Sequence, residues 1–459
     1  MSHVLVVAEK PSVAMSISKV LGAKNKGDGY TVGNGYIVSW AVGHLIGLAK
    51  PEEYNGKYAE RPWKVENLPI IPDVWKFTVN KDTKKQFDVL KKLMNDANVT
   101  EIVCATDAAR EGECIFRYVY NVTRCKKPFK RLWISSLEES AIKAGFNNLR
   151  PGSEFDKLYA SGLCRAKADW LVGMNGTQLF SSVYKSFLSI GRVQTPTLAM
   201  IAERDFKVKN FIKEKYFTVE LDCEEFTASS ERIDDLTEAE CVKVDCNGEA
   251  AAVKSVKREK KTVNPPKLYD LTTLQREANR IYGYTAAQTL DFTQSLYEKR
   301  LATYPRVDSR YITEDMAVST GMLVGNIYRR FNIDFNPEIN IKRVVNNAKV
   351  SDHHAILPTK EMINKDLSEL PDGERNILNL LILKLLCAVA KCYVYEVLTA
   401  KVVCAGHEFT AKGRMNIIHG WRATEIRVKS ALKIGSVKDD EEKEDEKALQ
   451  SSTRVTSVR

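Results

Sequence analysis

Residues 102–113 read IVCATDAAREGE, and the fold is decided by how this stretch is read. Ile102, Val103, Cys104 and Ala105 make a short apolar run, the pattern of a strand buried on both faces. Asp107 lies just past its end, and Glu111 and Glu113 open the apolar-rich segment CIFRYVY, which reads as a helix. A strand that hands a carboxylate to the start of a helix is a unit of an open α/β sheet. Sites form at the carboxyl ends of such strands. The amino terminus repeats the arrangement. Residues 3–8, HVLVVA, are an apolar run that Glu9 and Lys10 follow at once. Val13, Ile17, Val20 and Leu21 then recur at helical spacing until Gly22.

Carboxylates at neighbouring strand ends repel one another unless a hard cation neutralises them. Mg²⁺ needs only two or three, because it keeps several waters. Glu9, Asp107 and Glu111 are the candidate ligands, whereas Glu113 reads as an acidic residue favouring a helix amino terminus. A second chemical locus is residues 302–309, ATYPRVDS. Pro305 fixes its own φ and biases Tyr304 away from the helical region, which predicts an extended or turn segment. Tyr304 and Arg306 then set a phenol beside a guanidinium, and both could meet one phosphate. Arginine clamps an anion in bidentate fashion, and a tyrosine oxygen can form a covalent intermediate.

Composition narrows the classes. The 459 residues suffice for about three domains. An apolar fraction of 44% and a charged fraction of 28% are those of a soluble globular chain. The net charge of +10 suits a polyanionic partner, and the acidic run KDDEEKEDEK near the end masks a more basic body. Ten cysteines without a CxxC pair argue against a zinc ribbon and fit a reducing cytosol. No stretch is long and apolar enough to span a membrane, the first apolar run is too short for a signal peptide, and no Walker A pattern occurs.

Further along, residues 189–196, SIGRVQTP, are small, polar and basic just before a helix, a suitable cradle for a phosphodiester backbone. Residues 213–263 alternate apolar and polar positions in short runs and read as strand-rich. The basic cluster KSVKREKKTVNPPK reads as a solvated linker that marks a boundary. Leu271, Leu274, Ala278 and Ile281 make an amphipathic helix closed by Gly283, and Thr285 can cap the next. Residues 374–390 are a strongly apolar helix, and residues 401–421 return to strand-like alternation. His44 reads as structural, since nothing near it in sequence would orient it.

EKPSVA at residues 9–14, followed by TDAAREGE, resembles a Toprim domain, the metal-binding module of topoisomerases, primases and some nucleases. Ala109 stands where that module normally has a further acidic residue. SIGRVQTP resembles the S-x-G-R-V-Q-[TS]-P signature of type IA DNA topoisomerases, and residues 268–309 follow the same family's pattern almost continuously. Residues 38–54, VSWAVGHLIGLAKPEEY, resemble the topoisomerase III branch. Residues 351–359, SDHHAILPT, place His353 where the family's histidine approaches the scissile phosphate.

The resemblance, which covers about residues 1–430, implies a multidomain α/β plus α+β chain. Its N-terminal Toprim α/β domain would be followed by the helical and strand-rich domains of a toroidal type IA core. The implied divisions are 1–150, Toprim; 151–212, the first part of a helical DNA-gate domain; 213–270 with 395–430, a connecting domain; 271–394, carrying the catalytic tyrosine; and 431–459, an acidic and disordered tail on an apparently truncated chain. The implied catalytic residues are Tyr304 as nucleophile, Arg306 and Lys10 as charge stabilisers, Glu9 as acid, and His353. Ser189, Ile190, Gly191, Arg192, Val193 and Gln194 would contact DNA, as would Trp63, Trp170, Gln178 and Lys185. Glu9, Asp107 and Glu111 would hold Mg²⁺. The implied activity is ATP-independent cleavage of single-stranded DNA through a 5′-phosphotyrosine, then strand passage and religation. Negatively supercoiled DNA would be the partner, with a helicase as a further one, for a monomer in the bacterial cytoplasm on a chromosome or plasmid. Two other readings are a DNA-binding remnant that does not complete strand passage, and another Toprim enzyme such as a primase or nuclease.

Overall fold

The computed structural model describes residues 2–134, 137, 139–333, 338–350 and 353–435. The acidic run at residues 439–446 lies outside the described residues, as does most of the expected tail. The chain forms two compact units, Met1–Phe211 with Ala348–His354, and Ile212–Asn347 with Ala355–Arg459.

In the first unit, β1 (His3–Ala8) leads through α1 (Pro11–Leu21) to β2 (Asn25–Gly27), β3 (Tyr30–Gly33) and β4 (Tyr36–Trp40). An excursion follows, made of β5 (Ile46–Leu48), α2 (Pro51–Tyr54) and β6 (Phe77–Val79). Next come α3 (Lys84–Asn95), β7 (Val99–Ala105), α4 (Arg110–Val122), β8 (Phe129–Arg131), α5 (Glu139–Asn147) and β9 (Arg150–Pro151). The sheet order β2-β3-β4-β1-β7-β8-β9 sets β1 beside β7 at the centre. The two run parallel, with Ala8 opposite Ala105. Leu5 and Val7 pack with Leu90, Met94 and Phe116 on one face, while Val6 and Ala8 pack with Ala14, Ile17 and Ile142 on the other. The covered stretches, residues 5–8 and 102–105, have no polar positions, which is why they read as continuous apolar runs. Because the strands are parallel, Glu9 and Asp107 emerge at one edge. The long helix α6 (Asp156–Tyr184) packs against α4, and α7 (Gln194–Lys209) follows it.

The second unit runs β10 (Glu220–Asp222), β11 (Thr227–Ser230), α8 (Leu236–Cys246), β12 (Ala251–Val263), α9 (Leu271–Tyr282), α10 (Ala286–Glu298), α11 (Ala317–Arg330), α12 (Asp372–Ala388), β13 (Tyr393–Cys404), β14 (His407–Ile418) and α13 (Gly420–Leu432). The strands form one antiparallel sheet in the order β10-β11-β14-β13-β12. A core around α12, with Ile377, Leu381 and Leu385 fully buried, gathers residues of α9, α10, α11 and α13.

Three segments differ from the sequence reading. The basic cluster is no linker, because residues 251–263 are β12, paired with β13 along its whole length. Its ladder is supplied by residues more than 100 positions away, so local composition does not show it. Residues 236–246, inside the stretch read as strand-rich, form α8. Asp235 caps it by accepting from the Glu238 N–H, and Ala239, Val242 and Cys246 turn one face inward. The alternation after residue 401 stops at Ile418, and α13 follows at once.

Candidate active site

Glu9 and Asp107 meet at the ends of β1 and β7. The Asp107 N–H donates to Glu9 Oε2 at 3.1 Å. Lys10 Nζ lies 3.3 Å from Glu9 Oε1 and 3.4 Å from Asp107 Oδ2. His353, from the segment Ala348–His354 of the same unit, brings Nε2 to 3.1 Å from Asp107 Oδ2. These surroundings push the two carboxyls apart. Burial, with the Asp107 charge behind it, raises Glu9 above the ordinary carboxylate range, and the ammonium of Lys10 only partly offsets this. Burial also opposes ionisation of Asp107. There the hydrogen bond and charge of His353, with Lys10, outweigh it and hold the carboxyl low. A proton therefore belongs on Glu9 before it belongs on Asp107.

Arg131 braces the loop between β7 and α4. Fully buried, it donates to the carbonyl oxygens of Cys104, Thr106 and Leu132 through Nη1 and of Asp107 through Nη2. Its Nε lies 3.0 Å from Glu113 Oε2, and Arg117 Nε reaches the other oxygen of Glu113 at 2.8 Å. Glu113 is thus the buried anchor of that loop rather than a solvated helix start. Gly112 is required beside it, because a Cβ there would strike the Asp107 carbonyl.

Glu111 turns elsewhere. His44 Nε2 lies 2.5 Å from Glu111 Oε1, and this contact is the main cause of the lowered Glu111 pKa. The orienting partner of His44 thus comes from 67 residues away. A histidine so paired escaped the reading of its own neighbourhood. The expected Mg²⁺ trio is not gathered: among the described residues no group of three or more histidine, cysteine or acidic side chains is placed to hold a metal. Lys10 instead occupies the point between Glu9 and Asp107. That ammonium marks where a cation is favoured, and two carboxylates with retained waters suit Mg²⁺. The pair fits the ion once Lys10 shifts, while Glu111 has one carboxylate oxygen on His44.

The SIGRVQTP loop closes α6 onto α7. Lys185 ends α6 in the left-handed region at φ 52° and is exposed. The Ile190 N–H donates to Thr177 Oγ1 and the Gly191 N–H to Thr195 Oγ1, each at 3.0 Å. Gln194 Nε2 donates to Ser189 Oγ at 2.8 Å, Arg192 Nε pairs with Asp169 at 2.7 Å, and Val193 is exposed. Trp63 carries the Arg61 guanidinium over its ring at 4.1 Å, with Phe187 beside it. Trp170 and Gln178 are buried, and the Trp170 indole N–H donates to the Ala49 carbonyl at 2.8 Å. Neither offers an exposed face to DNA as it stands here; Trp170 packs edge-on against Tyr54 and Trp75.

In the second unit, Tyr304 follows α10 on a segment without regular structure. Ala302 bridges Pro358, and Pro305 begins a bend. The half-buried Tyr304 ring meets Tyr297 edge-on at 5.5 Å. Arg306 is exposed, with Nη1 3.4 Å from Gln294 Oε1. The Val307 N–H returns to the Pro305 carbonyl, and the Val307 carbonyl accepts from Leu271, which ties the bend to the start of α9.

A family profile described as DNA topoisomerase matches residues 153–457, and a Toprim-domain profile matches residues 4–137. The DNA topoisomerase 3 of Bacillus cereus is 41% identical over 445 residues, covering 92% of this chain and 59% of the relative. That of Bacillus subtilis is 38% identical over 461 residues, covering 97% and 62%. The chain thus spans about three fifths of the length of these relatives. Full-length topoisomerase I of Thermotoga maritima shares the fold at a TM-score of 0.66 and 23% identity, over 92% of this chain and 67% of that one.

Proposed function

From the premise that the chain belongs to the type IA DNA topoisomerase family, we propose that it cleaves and rejoins single strands of DNA without ATP. Tyr304 Oη would attack a backbone phosphorus as the bond from phosphorus to the 3′ oxygen breaks. The products are a 5′-phosphotyrosine and a free 3′ hydroxyl. Arg306 would stabilise the charge that develops on the phosphoryl oxygens, with Lys10 in support. Glu9 would protonate the departing 3′ oxygen and recover the proton on religation. The observation that carries this reading is the buried Glu9 carboxyl at the end of β1, 3.1 Å from the Asp107 N–H and 3.3 Å from Lys10 Nζ. His353, fixed on Asp107, would orient that carboxylate. Ser189 to Gln194, Trp63 and Lys185 would bind the strand, with Trp170 and Gln178 supporting the wall behind it. Glu9 and Asp107, joined by Glu111, would hold Mg²⁺, which when bound would supply electrostatic hold on phosphate oxygens. One ester replaces another, so the bond energy is conserved.

Relaxation of negatively supercoiled DNA is the expected outcome, by a monomer acting in the bacterial cytoplasm where single strands open. A helicase is the class of partner that would expose such strands. No described helix is long and apolar enough to cross a membrane. The test is to incubate the chain with single-stranded DNA and Mg²⁺, denature, and look for protein-linked DNA. Wild type should give adduct and Tyr304→Phe none. An undiminished adduct with Tyr304→Phe would remove the nucleophile assignment.

A further inference from the structure

The five-stranded sheet presents two unlike faces. Along β12, residues 255, 257, 259, 261 and 263 stand opposite 401, 399, 397, 395 and 393 of β13. Of these, 401, 399, 397 and 395 stand opposite 410, 412, 414 and 416 of β14. Residues paired across a sheet share a face. This face carries Lys257, Lys261, Lys401, Lys412 and Arg414 against the single carboxylate of Glu259, which pairs with Lys257 at 2.8 Å and leaves four cations in excess. The same span of the other face carries Arg258 and Lys260 against Glu396, with Arg258 3.9 Å from that carboxylate. Positive charge is therefore concentrated on one side.

Aromatic rings back it. Tyr395 and Tyr393 stack at 5.2 Å, and the Arg414 guanidinium lies 3.9 Å from the centre of the Tyr395 ring. At the base of the face the Arg422 guanidinium lies 5.3 Å from the Tyr393 ring. A guanidinium laid on a ring is held in place by that contact. All thirteen residues of β12 are exposed. Lysines on an edge strand do discourage edge-to-edge pairing. That role accounts for charge on β12 and for none on the second and third strands, where Lys401, Lys412 and Arg414 continue the row.

We propose that this face binds the phosphodiester backbone of a DNA segment through residues other than those of the cleavage chemistry. Lys257 and Lys261 stand about 13 Å apart along the strand. That is roughly four base-pair steps measured along the axis of a duplex, at ~3.4 Å each. The row across β13 and β14 widens this line into a patch. The proposal rests on the reading of the chain as a DNA enzyme, and its test separates the two.

The full chain carrying Tyr304→Phe is titrated with single-stranded and with duplex oligonucleotides over a salt series. Adding Lys257→Gln, Lys261→Gln and Lys412→Gln should lower the slope of log affinity against log salt by about 2 for single strands or about 3 for duplex, and the arm that changes names the form bound. Arg258→Gln with Lys260→Gln, on the other face, should leave the slope as it was. An unchanged slope in the triple variant, or a drop per charge equal to that of the opposite-face variant, overturns the surface. Adduct formation by the wild-type chain is read separately. Adduct with an unchanged slope removes only the surface. No adduct with a reduced slope removes only the cleavage reading.

Discussion

Glu113 shows what a single buried charge does at this site. Its carboxylate and the Arg131 guanidinium are both fully buried, 3.0 Å apart, and Arg131 in turn holds four carbonyl oxygens around Asp107. Removing one partner of such a pair leaves the other charge in the core without compensation, at about 3–5 kcal/mol. Glu113→Gln keeps the volume and a hydrogen-bonding oxygen but removes the countercharge for Arg131 and Arg117. Urea unfolding followed by circular dichroism should show a loss within that range. A loss below ~1 kcal/mol would mean that water or a neighbouring group already compensates Arg131, and that the loop does not depend on this pair. Residues of this kind are hard to read in a sequence. An acid in the first turn of a helix is common, and only the approach of β8 to α4 shows that this one is anchored by an arginine 18 positions on. His44 is the same case at greater separation, since its partner Glu111 is brought close by folding alone.

At the scale of elements, the turn between β7 and α4 fixes where Asp107 points. The Thr106 hydroxyl donates to the Gly112 carbonyl at 2.7 Å, and the Ala109 N–H donates to the Asp107 carbonyl at 2.8 Å. The chain doubles back so tightly that Gly112 has no room for a methyl group against the Asp107 backbone. Gly112→Ala should therefore displace the carboxylate while sparing the sheet behind it. A misplacement of about 1 Å at a reacting centre costs on the order of 100-fold. The expected result is a loss of adduct yield of that order with near-native circular dichroism; an unchanged yield would show that the turn absorbs the methyl by moving away from the site. The elements on either side of this turn were legible because an apolar run and a helical period are local signals. The helices before Tyr304 were legible for the same reason, as the Thr285 cap and the Gly283 stop show. β12 was not. Thirteen residues rich in lysine carry no buried face, and their strand character comes from β13 alone.

For the molecule as a whole, the sign of the charge and the order of the motifs were open to reading, whereas the state of the acid cluster was not. Sequence puts Glu9, Asp107 and Glu111 together and calls for a cation. Folding supplies protein partners instead, the Lys10 ammonium between the first two and an imidazole nitrogen against each of the last two. Little repulsion is left for a metal to relieve, and an entering Mg²⁺ must displace an ammonium that already serves both carboxylates. A weak site follows, with a dissociation constant near the millimolar concentrations at which Mg²⁺ is supplied. An ion present at its own dissociation constant stabilises the folded state by about 0.4 kcal/mol, which is a shift in melting temperature of about 1 °C. Chelation should accordingly stop relaxation of negatively supercoiled plasmid while leaving the melting curve almost unmoved. Differential scanning fluorimetry with and without EDTA, beside a gel assay on the same samples, reads both quantities. A fall of several degrees on chelation would mean a tight, preformed metal site in which Lys10 is not the resident cation. Unimpaired relaxation in EDTA would mean that Lys10 and Arg306 carry the phosphate charge without a metal.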